Sequence, residues 1–245
     1  MPRSLFIVMP VFNEEACIGA VVEQWLAEAR RVDGARMLLV DDGSRDSTPA
    51  VLAALARSHP DLTVIHQENS GHGAAVLRAY REALALGCEW VFQTDSDAQF
   101  DAADFDLLWR RRSEAPFLLG WRATRQDAST RIRLSRIHAL LLRVLFGVNL
   151  SDPNVPFRLM RASLLKRYLD IVPPGVFAPN VLLSVLAARE GLLPGQIPVT
   201  HRRRDTGAVS IRGWKTLKTA ARCVREYWAF RSLLNDKGGR RPAEL

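Results

Sequence analysis

Short apolar runs alternate with segments of helical periodicity through the first half of the chain. The apolar runs lie at residues 4–9, 37–40, 62–66, 89–92 and 116–120, and their lengths suit buried strands. Strands that alternate with helices form βαβ units, in which the strands lie parallel in one sheet. The pattern therefore predicts an α/β fold with a mostly parallel sheet flanked by helices.

The helical segments are bounded by capping residues, glycine and proline. Ser47 and Pro49 favour a helix start, and Gly87 favours the end of the following helix. We expect helices at residues 13–30, from 48 onward, and at 74–86, 102–112, 137–147, 162–169 and 179–190, with a strand at 196–201 and a proline-punctuated loop at 151–158.

Polar residues follow the predicted strands at the points where the apolar runs end. They are Asn13 and Glu14, Asp41 and Asp42, Asn69 and His72, and Asp95 and Asp97. The carboxyl ends of parallel strands share one edge of the sheet, which is where open α/β sheets bind ligands. We therefore expect these side chains to converge on one cleft.

Asp95 and Asp97 are the strongest candidates for metal ligands in that cleft. Residues i and i+2 of an extended segment point to the same side, so both carboxylates can hold one divalent ion, and Gln99 adds an amide oxygen. Oxygen ligands suit Mg²⁺ or Mn²⁺, whose coordination is usually completed by water and substrate phosphates. In isolation an Asp-x-Asp pair favours an ordinary turn, and the other polar strand ends are what favour a metal site.

Gly71 and Gly73 precede a predicted helix but lack the Lys-Ser/Thr of a phosphate-binding P-loop. Glycine at these positions either allows close packing of the backbone against a neighbour or ligand, or forms a plain helix-entry turn.

The net charge of +8 is concentrated in the last 45 residues, which hold 12 Lys and Arg against 4 Asp and Glu. Such a basic region favours an anionic partner, namely nucleic acid, anionic lipid or a phosphorylated substrate, or else forms a solvated tail. The three cysteines lack C-x-x-C spacing, which argues against a disulfide framework or a zinc site and fits a reducing compartment. We see no secretory signal and no apolar stretch long enough to span a bilayer.

The last helical pattern combines an apolar stripe with a basic one. The apolar stripe is Trp214, Leu217, Ala221, Val224 and Trp228, and the basic stripe is Lys215, Lys218, Arg222 and Arg225. A helix of this kind either lies in a membrane interface or packs on the domain with its basic side in water. Residues 235–245 have the composition of a frayed polar tail.

Several ordered motifs connect these features. They are Pro10-Val-Phe-Asn-Glu-Glu15, Val40-Asp-Asp-Gly-Ser44 with Asp46 and Thr48, Asn69-x-Gly71-x-Gly73, Asp95-x-Asp97-x-Gln99, Gly120-x-Arg122, Arg131-x-x-x-Ser135 and Arg204-x-x-Gly207. In this order they resemble the motifs of family 2 glycosyltransferases, especially the dolichol-phosphate mannose synthase type, which are polyprenyl-phosphate glycosyltransferases.

The resemblance implies a Rossmann-like GT-A fold, a nucleotide-diphosphate sugar donor and an inverting mechanism. By the family pattern the donor would be held by Pro10, Phe12, Glu14, Val40, Asp42, Asp95, Ser96 and Arg204. The metal would be held by Asp95, Asp97 and Gln99, and the phosphate of a lipid acceptor by Arg131 and Ser135. Asp97 and Arg122 would act on the leaving diphosphate, and Asp152 is the candidate base for a hydroxyl acceptor.

The sequence departs from the family pattern in places that concern the acceptor more than the donor. Phe12 replaces a frequent Tyr, Asn180 replaces a common Glu, and the ending from Arg204 to Arg212 is stretched and lacks its Lys. We expect residues 1–211 to form the glycosyltransferase domain, with a donor half at about 1–121 and an acceptor half at about 122–211, followed by the basic helix and tail at 212–245.

The expected function is metal-dependent transfer of a hexose from GDP-mannose or a UDP-hexose to a polyprenyl phosphate, with peripheral contact at the cytoplasmic membrane face. The alternative is the same donor chemistry with a saccharide hydroxyl acceptor in cell-envelope glycan synthesis. A remoter alternative is a non-catalytic basic module that binds nucleic acid through residues 201–245; we expect no nucleic-acid partner.

Overall fold

The computed structural model describes residues 5–122, 129–193, 195–202 and 214–238, except for the side chains of 129–136, 214–217 and 237–238. The strands in these ranges are β1 (Leu5–Val11), β2 (Arg36–Asp41), β3 (Leu62–His66), β4 (Trp90–Gln93), β5 (Phe117–Arg122), β6 (Arg158–Arg161) and β7 (Gln196–Val199). Together they form a seven-stranded sheet in the order β3-β2-β1-β4-β6-β5-β7.

The sheet is mostly parallel, as the sequence predicts. β1 pairs parallel with both β2 and β4, β2 pairs parallel with β3, and β5 pairs parallel with β7. Only β6 runs the other way, antiparallel to β4 and β5. The carboxyl ends of β1 to β4 therefore lie along one edge of the sheet.

Helices flank this sheet. They are α1 (Ile18–Ala29), α2 (Thr48–Ser58), α3 (His72–Ala85), α4 (Phe105–Trp109), α5 (Ser129–Phe146), α6 (Ala162–Leu169), α7 (Pro179–Arg189) and α8 (Trp214–Gly238), with a single 3₁₀ turn at Ala102–Asp104 before α4. None of the helices in the described part of the chain is long and apolar enough to cross a membrane.

Three details of the predicted elements are wrong. The helix expected from residue 13 begins at Ile18, because Asn13 has φ +53° and the backbone after it turns toward the loop that follows β2. Residues 102–112 form a 3₁₀ turn and the short α4 instead of one helix. The helix at the end of the chain continues to Gly238, so residues 235–238 are not part of a frayed tail.

The strand β6 is absent from the sequence prediction. It is only four residues long, and arginines stand at both of its ends, so it shows no apolar run. β6 is a central strand because it pairs with β4 on one side and with β5 on the other, and its first residue, Arg158, is fully buried. No periodicity in the sequence indicates this position.

Large aromatic side chains fix β4 in the core. Phe92 packs against Trp25 of α1 with ring centroids 5.4 Å apart, and against Phe157 at 4.8 Å. Full burial of such side chains contributes about 2–3 kcal/mol each. The end of β4, where the candidate metal ligands follow, is therefore held by a rigid part of the protein.

The C-terminal helix α8 packs on the domain with a face different from the predicted apolar stripe. Tyr227 and Phe230 are buried. Tyr227 stacks on His138 of α5, and the ring centroid of Phe230 lies 6.1 Å from that of Phe146. Trp228, a member of the predicted stripe, remains 54% exposed. The helix thus has a packed face and, beside it, an apolar face open to solvent.

Candidate active site

The loops after β1 and β2 are joined by hydrogen bonds. The amide of Asn13 donates to Ser44 Oγ at 2.9 Å, and Asn13 Oδ1 accepts from the amide of Arg45 at 2.8 Å. The amide of Glu14 donates to Thr48 Oγ1 at 2.9 Å. These bonds bring the residues expected to hold the nucleoside, Phe12 and Glu14, beside the end of β2.

Phe12 is the open member of this group. Its ring is 41% exposed, whereas Glu14 is 8% exposed and both Pro10 and Val40 are buried in paired positions of β1 and β2. An exposed ring at the sheet edge is suited to stacking on a nucleobase.

Asp42 holds the loop that leads into α3. Its Oδ1 accepts from Gln67 Nε2 at 2.7 Å and from the amide of Ser70 at 2.8 Å, and its Oδ2 accepts from the amide of Gly71 at 2.9 Å. The carboxylate predicted to hold the nucleoside is therefore already engaged by the protein, and it fixes the position of the loop after β3.

Asp95 and Asp97 lie just past the end of β4. The chain bends at residues 96–98, with Ala98 at φ +59°, so the extended geometry assumed for this pair ends at Gln93. Asp95 Oδ1 accepts from Gln93 Nε2 at 3.2 Å and lies 4.0 Å from His72 Nε2. Asp97 Oδ1 accepts from the amide of Gln99 at 3.2 Å.

Burial, opposed by His72 and reinforced by the charge of Asp97, raises the pKa of Asp95 to about 6. The two carboxylates are thus close enough to repel each other, and a cation between them would relieve that repulsion. No cluster of three or more His, Cys, Asp and Glu side chains suited to a metal occurs in the ranges that the structure describes. Asp95 and Asp97 fit an ion whose remaining ligands are diphosphate oxygens and water.

The raised pKa of Asp95 makes the stability of the metal-free chain depend on pH. Because the folded-state pKa lies above the unfolded value of about 4, stability from this group is full below about pH 4 and is lost as the pH rises through 6. We expect Asp95→Asn, which stays neutral, to gain about 3 kcal/mol relative to wild type between about pH 4 and pH 8. Urea unfolding in EDTA measures the difference in unfolding free energy between Asp95→Asn and wild type. A difference that does not change with pH contradicts the assignment.

Gln99 connects the candidate metal site to the end of β7. The side-chain Nε2 of Gln99 donates to the backbone carbonyl of Arg202 at 3.0 Å, and the backbone carbonyl of Gln99 accepts from the backbone amide of Arg202 at 2.7 Å. Phe100 and His201 pair as an antiparallel bridge. Arg202 therefore lies beside a predicted metal ligand, and Arg204 lies outside the described residues.

Arg122 and Asp152 form a bidentate ion pair. Arg122 Nε and Nη2 each donate to a different Asp152 oxygen at 2.7 Å, and the Asp152 side chain is 3% exposed. Both oxygens of the predicted base are therefore engaged, and Asp152 positions Arg122 in this geometry. Arg131 and Ser135 lie on α5, and their side chains lie outside the described part of the structure.

Two residues at the site escaped the sequence analysis as functional candidates. They are Gln93, which donates to Asp95, and Thr94, whose buried Oγ1 has no hydrogen-bond partner. His72, one of the polar side chains expected to converge on the cleft, lies there with its Nε2 4.0 Å from Asp95 Oδ1. The signal for Gln93 was present, because a polar residue two positions before Asp95 on a buried strand points to the same face. Nothing in the local pattern identifies Thr94.

This fold, with an acidic pair at the carboxyl edge of a mostly parallel sheet, defines the class of GT-A glycosyltransferases, as expected. A sequence profile described as "Glycosyl transferase family 2" matches residues 6–170, so the chain belongs to that family.

Similar curated proteins carry names from one enzyme group. The chain is 27% identical over 210 residues to an undecaprenyl-phosphate 4-deoxy-4-formamido-L-arabinose transferase of Pectobacterium atrosepticum, covering 84% of this chain and 62% of the relative. It is 28% identical over 205 residues to the protein of the same name from Sodalis glossinidius, covering 82% and 60%. The chain thus spans less than two thirds of the length of these relatives.

Solved structures share the fold. Mannosyl-3-phosphoglycerate synthase from Rubrobacter xylanophilus matches with a TM-score of 0.68 at 16% identity, over 97% of this chain and 76% of that one. Glucosyl-3-phosphoglycerate synthase from Mycobacterium tuberculosis, in complex with Mn²⁺, UDP and glucosyl-3-phosphoglycerate, matches with a TM-score of 0.62 at 18% identity, over 98% and 82%. Similarity at this level shows the fold alone.

Proposed function

We propose that the protein transfers a hexose, with inversion, from a nucleotide-diphosphate sugar to a polyprenyl phosphate, using a divalent metal ion. The observation that carries the proposal is the pair of carboxylates, Asp95 and Asp97, at the same carboxyl edge of the sheet as the exposed ring of Phe12. The names of the curated relatives support the acceptor, since both act on undecaprenyl phosphate by name.

Each residue has a defined task in this proposal. Asp95 and Asp97, with Gln99, hold Mg²⁺ or Mn²⁺, which neutralises charge on the leaving diphosphate. Phe12 and Glu14 hold the nucleoside together with Pro10, Val40 and Asp42. Ser96 also contacts the donor. Arg122 and Arg204 supply charge-assisted hydrogen bonds to phosphate oxygens, and Arg131 with Ser135 holds the acceptor phosphate.

The ion pair of Arg122 and Asp152 favours a phosphate acceptor over a hydroxyl acceptor. A hydroxyl needs a base to remove its proton, whereas a phosphate oxygen is already anionic. Asp152 accepts two hydrogen bonds from Arg122 and is almost fully buried, so proton removal by it would require that pair to open. The saccharide-acceptor alternative needs this extra step.

A transfer assay with matched acceptors tests the proposal. The chain is given Mn²⁺, a radiolabelled donor from the GDP-mannose and UDP-hexose series, and either undecaprenyl phosphate, undecaprenol or a saccharide. We expect label to reach undecaprenyl phosphate only. Transfer to a saccharide alone would support the alternative acceptor. If none of these donors is hydrolysed or transferred, the proposed donor class is wrong.

We further propose that α5 and α8 contact the cytoplasmic face of a membrane. The helices pack together through His138 and Tyr227 and expose apolar side chains on other faces: Ile137, Leu140 and Val144 on α5, and Val224 and Trp228 on α8. Exposed basic residues accompany them on α8, namely Lys218, Arg222 and Arg225. Apolar side chains bordered by positive charge match a membrane surface with anionic lipids.

Loss of the exposed apolar side chains should weaken vesicle binding. We expect the double variant Leu140→Ser and Trp228→Ser to bind phosphatidylglycerol vesicles about tenfold or more weakly than wild type, because both side chains leave water on binding. Cosedimentation measures the bound fraction. Leu107→Ser removes an exposed leucine from α4 and should bind as wild type does. Equal loss in both variants would show that the effect is not specific to α5 and α8.

A further inference from the structure

We propose that a buried polar relay, formed by Tyr80, Asn180 and Gln93, positions Asp95 for the metal by holding its Oδ1 from inside the protein. The inference rests on the metal-ligand role proposed for Asp95. It assigns a positioning role to residues of three separate elements, namely α3, α7 and β4.

The relay is a continuous series of hydrogen bonds. Tyr80 Oη donates to Asn180 Oδ1 at 2.8 Å, and Asn180 Nδ2 donates to Gln93 Oε1 at 3.0 Å. Gln93 Nε2 then donates to Asp95 Oδ1 at 3.2 Å. Tyr80 and Gln93 are fully buried, and Asn180 is 3% exposed.

The direction of every bond follows from its two ends. An ionised Asp95 only accepts, so Gln93 must present its amide nitrogen there and its oxygen to Asn180. Asn180 must then donate to Gln93 and accept from Tyr80, which is a hydroxyl donor. Burial raises the pKa of Tyr80 far above its ordinary value, so this donor stays protonated.

Further contacts fix the middle of the relay. Asn180 lies in the first turn of α7. Its backbone carbonyl accepts from Arg158 Nη1 at 2.9 Å and from Ser184 Oγ at 2.9 Å. Arg158 is itself fully buried and also binds the carbonyls of Val155 and Pro153. The amide of Asn180 is therefore held in place by its own backbone as well as by its side-chain partners.

The consequence for the site is an oriented carboxylate. The contacts with Gln93 and His72 both fall on Asp95 Oδ1. This leaves Oδ2 to face the ion, and the ligand needs no reorganisation when the ion binds. Outer partners that orient a metal ligand in this way typically account for about 10–100-fold in metal affinity.

Mn²⁺ affinity of the whole chain, measured by the EPR signal of free Mn²⁺ without donor, tests the relay. We expect Gln93→Met, which keeps the length of the side chain but removes the donor to Asp95, to bind Mn²⁺ about tenfold more weakly. Tyr80→Phe removes the hydroxyl that donates to Asn180 Oδ1 and lies 3.4 Å from Gln93 Oε1. It leaves the Gln93 amide that donates to Asp95 in place, so we expect a smaller loss of about threefold.

Tyr168→Phe is the matched control for a purely structural effect. It removes a hydroxyl from a tyrosine that is as buried as Tyr80, and that hydroxyl donates to Glu190 Oε2 at 3.0 Å instead of to a relay side chain. We expect it to lower the urea stability and leave the Mn²⁺ affinity unchanged. If the relay residues had a structural role alone, Gln93→Met and Tyr168→Phe would not differ in Mn²⁺ affinity.

Wild-type Mn²⁺ affinity in a folded Gln93→Met chain would overturn the relay. If that variant does not fold, wild-type affinity in Tyr80→Phe overturns it instead. Failure of the proposed function has a different signature, because then Asp97→Ala binds Mn²⁺ as wild type does, or wild type does not bind it, and the metal site itself is wrong.

Discussion

Replacing Asp97 by alanine should reduce metal-dependent glycosyl transfer about a thousandfold. The variant loses one of the two carboxylates proposed to hold the ion that neutralises the leaving diphosphate. A thousandfold effect corresponds to about 4 kcal/mol of transition-state stabilisation, within the several kcal/mol that a metal supplies as a Lewis acid. Initial rates with saturating donor and acceptor, over a range of Mn²⁺ concentrations, measure it.

The matched control for this variant is Asp106→Ala. It also removes one carboxylate, but from a surface pair with Arg110 on α4, and exposed pairs contribute little. We expect full transfer activity from the control. Full activity in Asp97→Ala at every Mn²⁺ concentration would mean that the ion is not bound there, and the acidic pair would then be an ordinary bend after β4.

The parallel half of the fold was predictable because its central strands, β1, β2 and β4, contain uninterrupted apolar runs. Burial on both faces of a central strand selects such runs, and polar loops mark where they end. β6 could not be predicted on this basis, since it is short and begins with Arg158. A charged residue becomes a buried strand residue only when acceptors receive its donors. For Arg158 these are the carbonyls of Pro153 and Val155 in the preceding loop and of Asn180 on α7, and their arrangement is not visible in the sequence.

The candidate site divides in a similar way. Asp95, Asp97 and Gln99 are close in sequence, so their proximity follows from local structure. Other contacts join residues that are distant in sequence: Gln93, the local partner of Asp95, accepts from Asn180, and Arg122 pairs with Asp152, 30 residues away. The sequence suggests Asp152 as a candidate base but gives no means to see that Arg122 occupies both of its oxygens.

The two faces of α8 show a further limit of periodicity. Val224 and Trp228 of the predicted apolar stripe are exposed, and the side chains of Trp214 and Leu217 lie outside the described part of the structure. Cys223, Tyr227 and Phe230 form a second apolar set that packs on the domain. Periodicity detects an apolar face and does not state what covers it. Here the predicted face, which includes Val224 and Trp228, is the one that is open to solvent.

Alanine at Gly73 should destabilise the protein by about 3 kcal/mol, although helix propensity alone predicts a gain of about 1 kcal/mol. A Cβ at this position would lie 2.5 Å from the carbonyl oxygens of Val176 and Phe177. Their loop cannot easily withdraw, because Glu226 of α8 accepts from the amide of Phe177 and Arg222 donates to the carbonyl of Gly175. The start of α3, with His72 and the loop held by Asp42, must shift instead.

Gly19 is the matched control, since it is the second residue of α1 as Gly73 is the second residue of α3. A Cβ at Gly19 would meet only Val51 Cγ1 at 3.9 Å, so Gly19→Ala should be neutral or stabilising by up to about 1 kcal/mol. Urea unfolding of both variants gives the sign directly. Because the start of α3 borders Asp95, Gly73→Ala should also weaken Mn²⁺ binding, and a stabilised Gly73→Ala would show that the loop at 175–177 yields without cost.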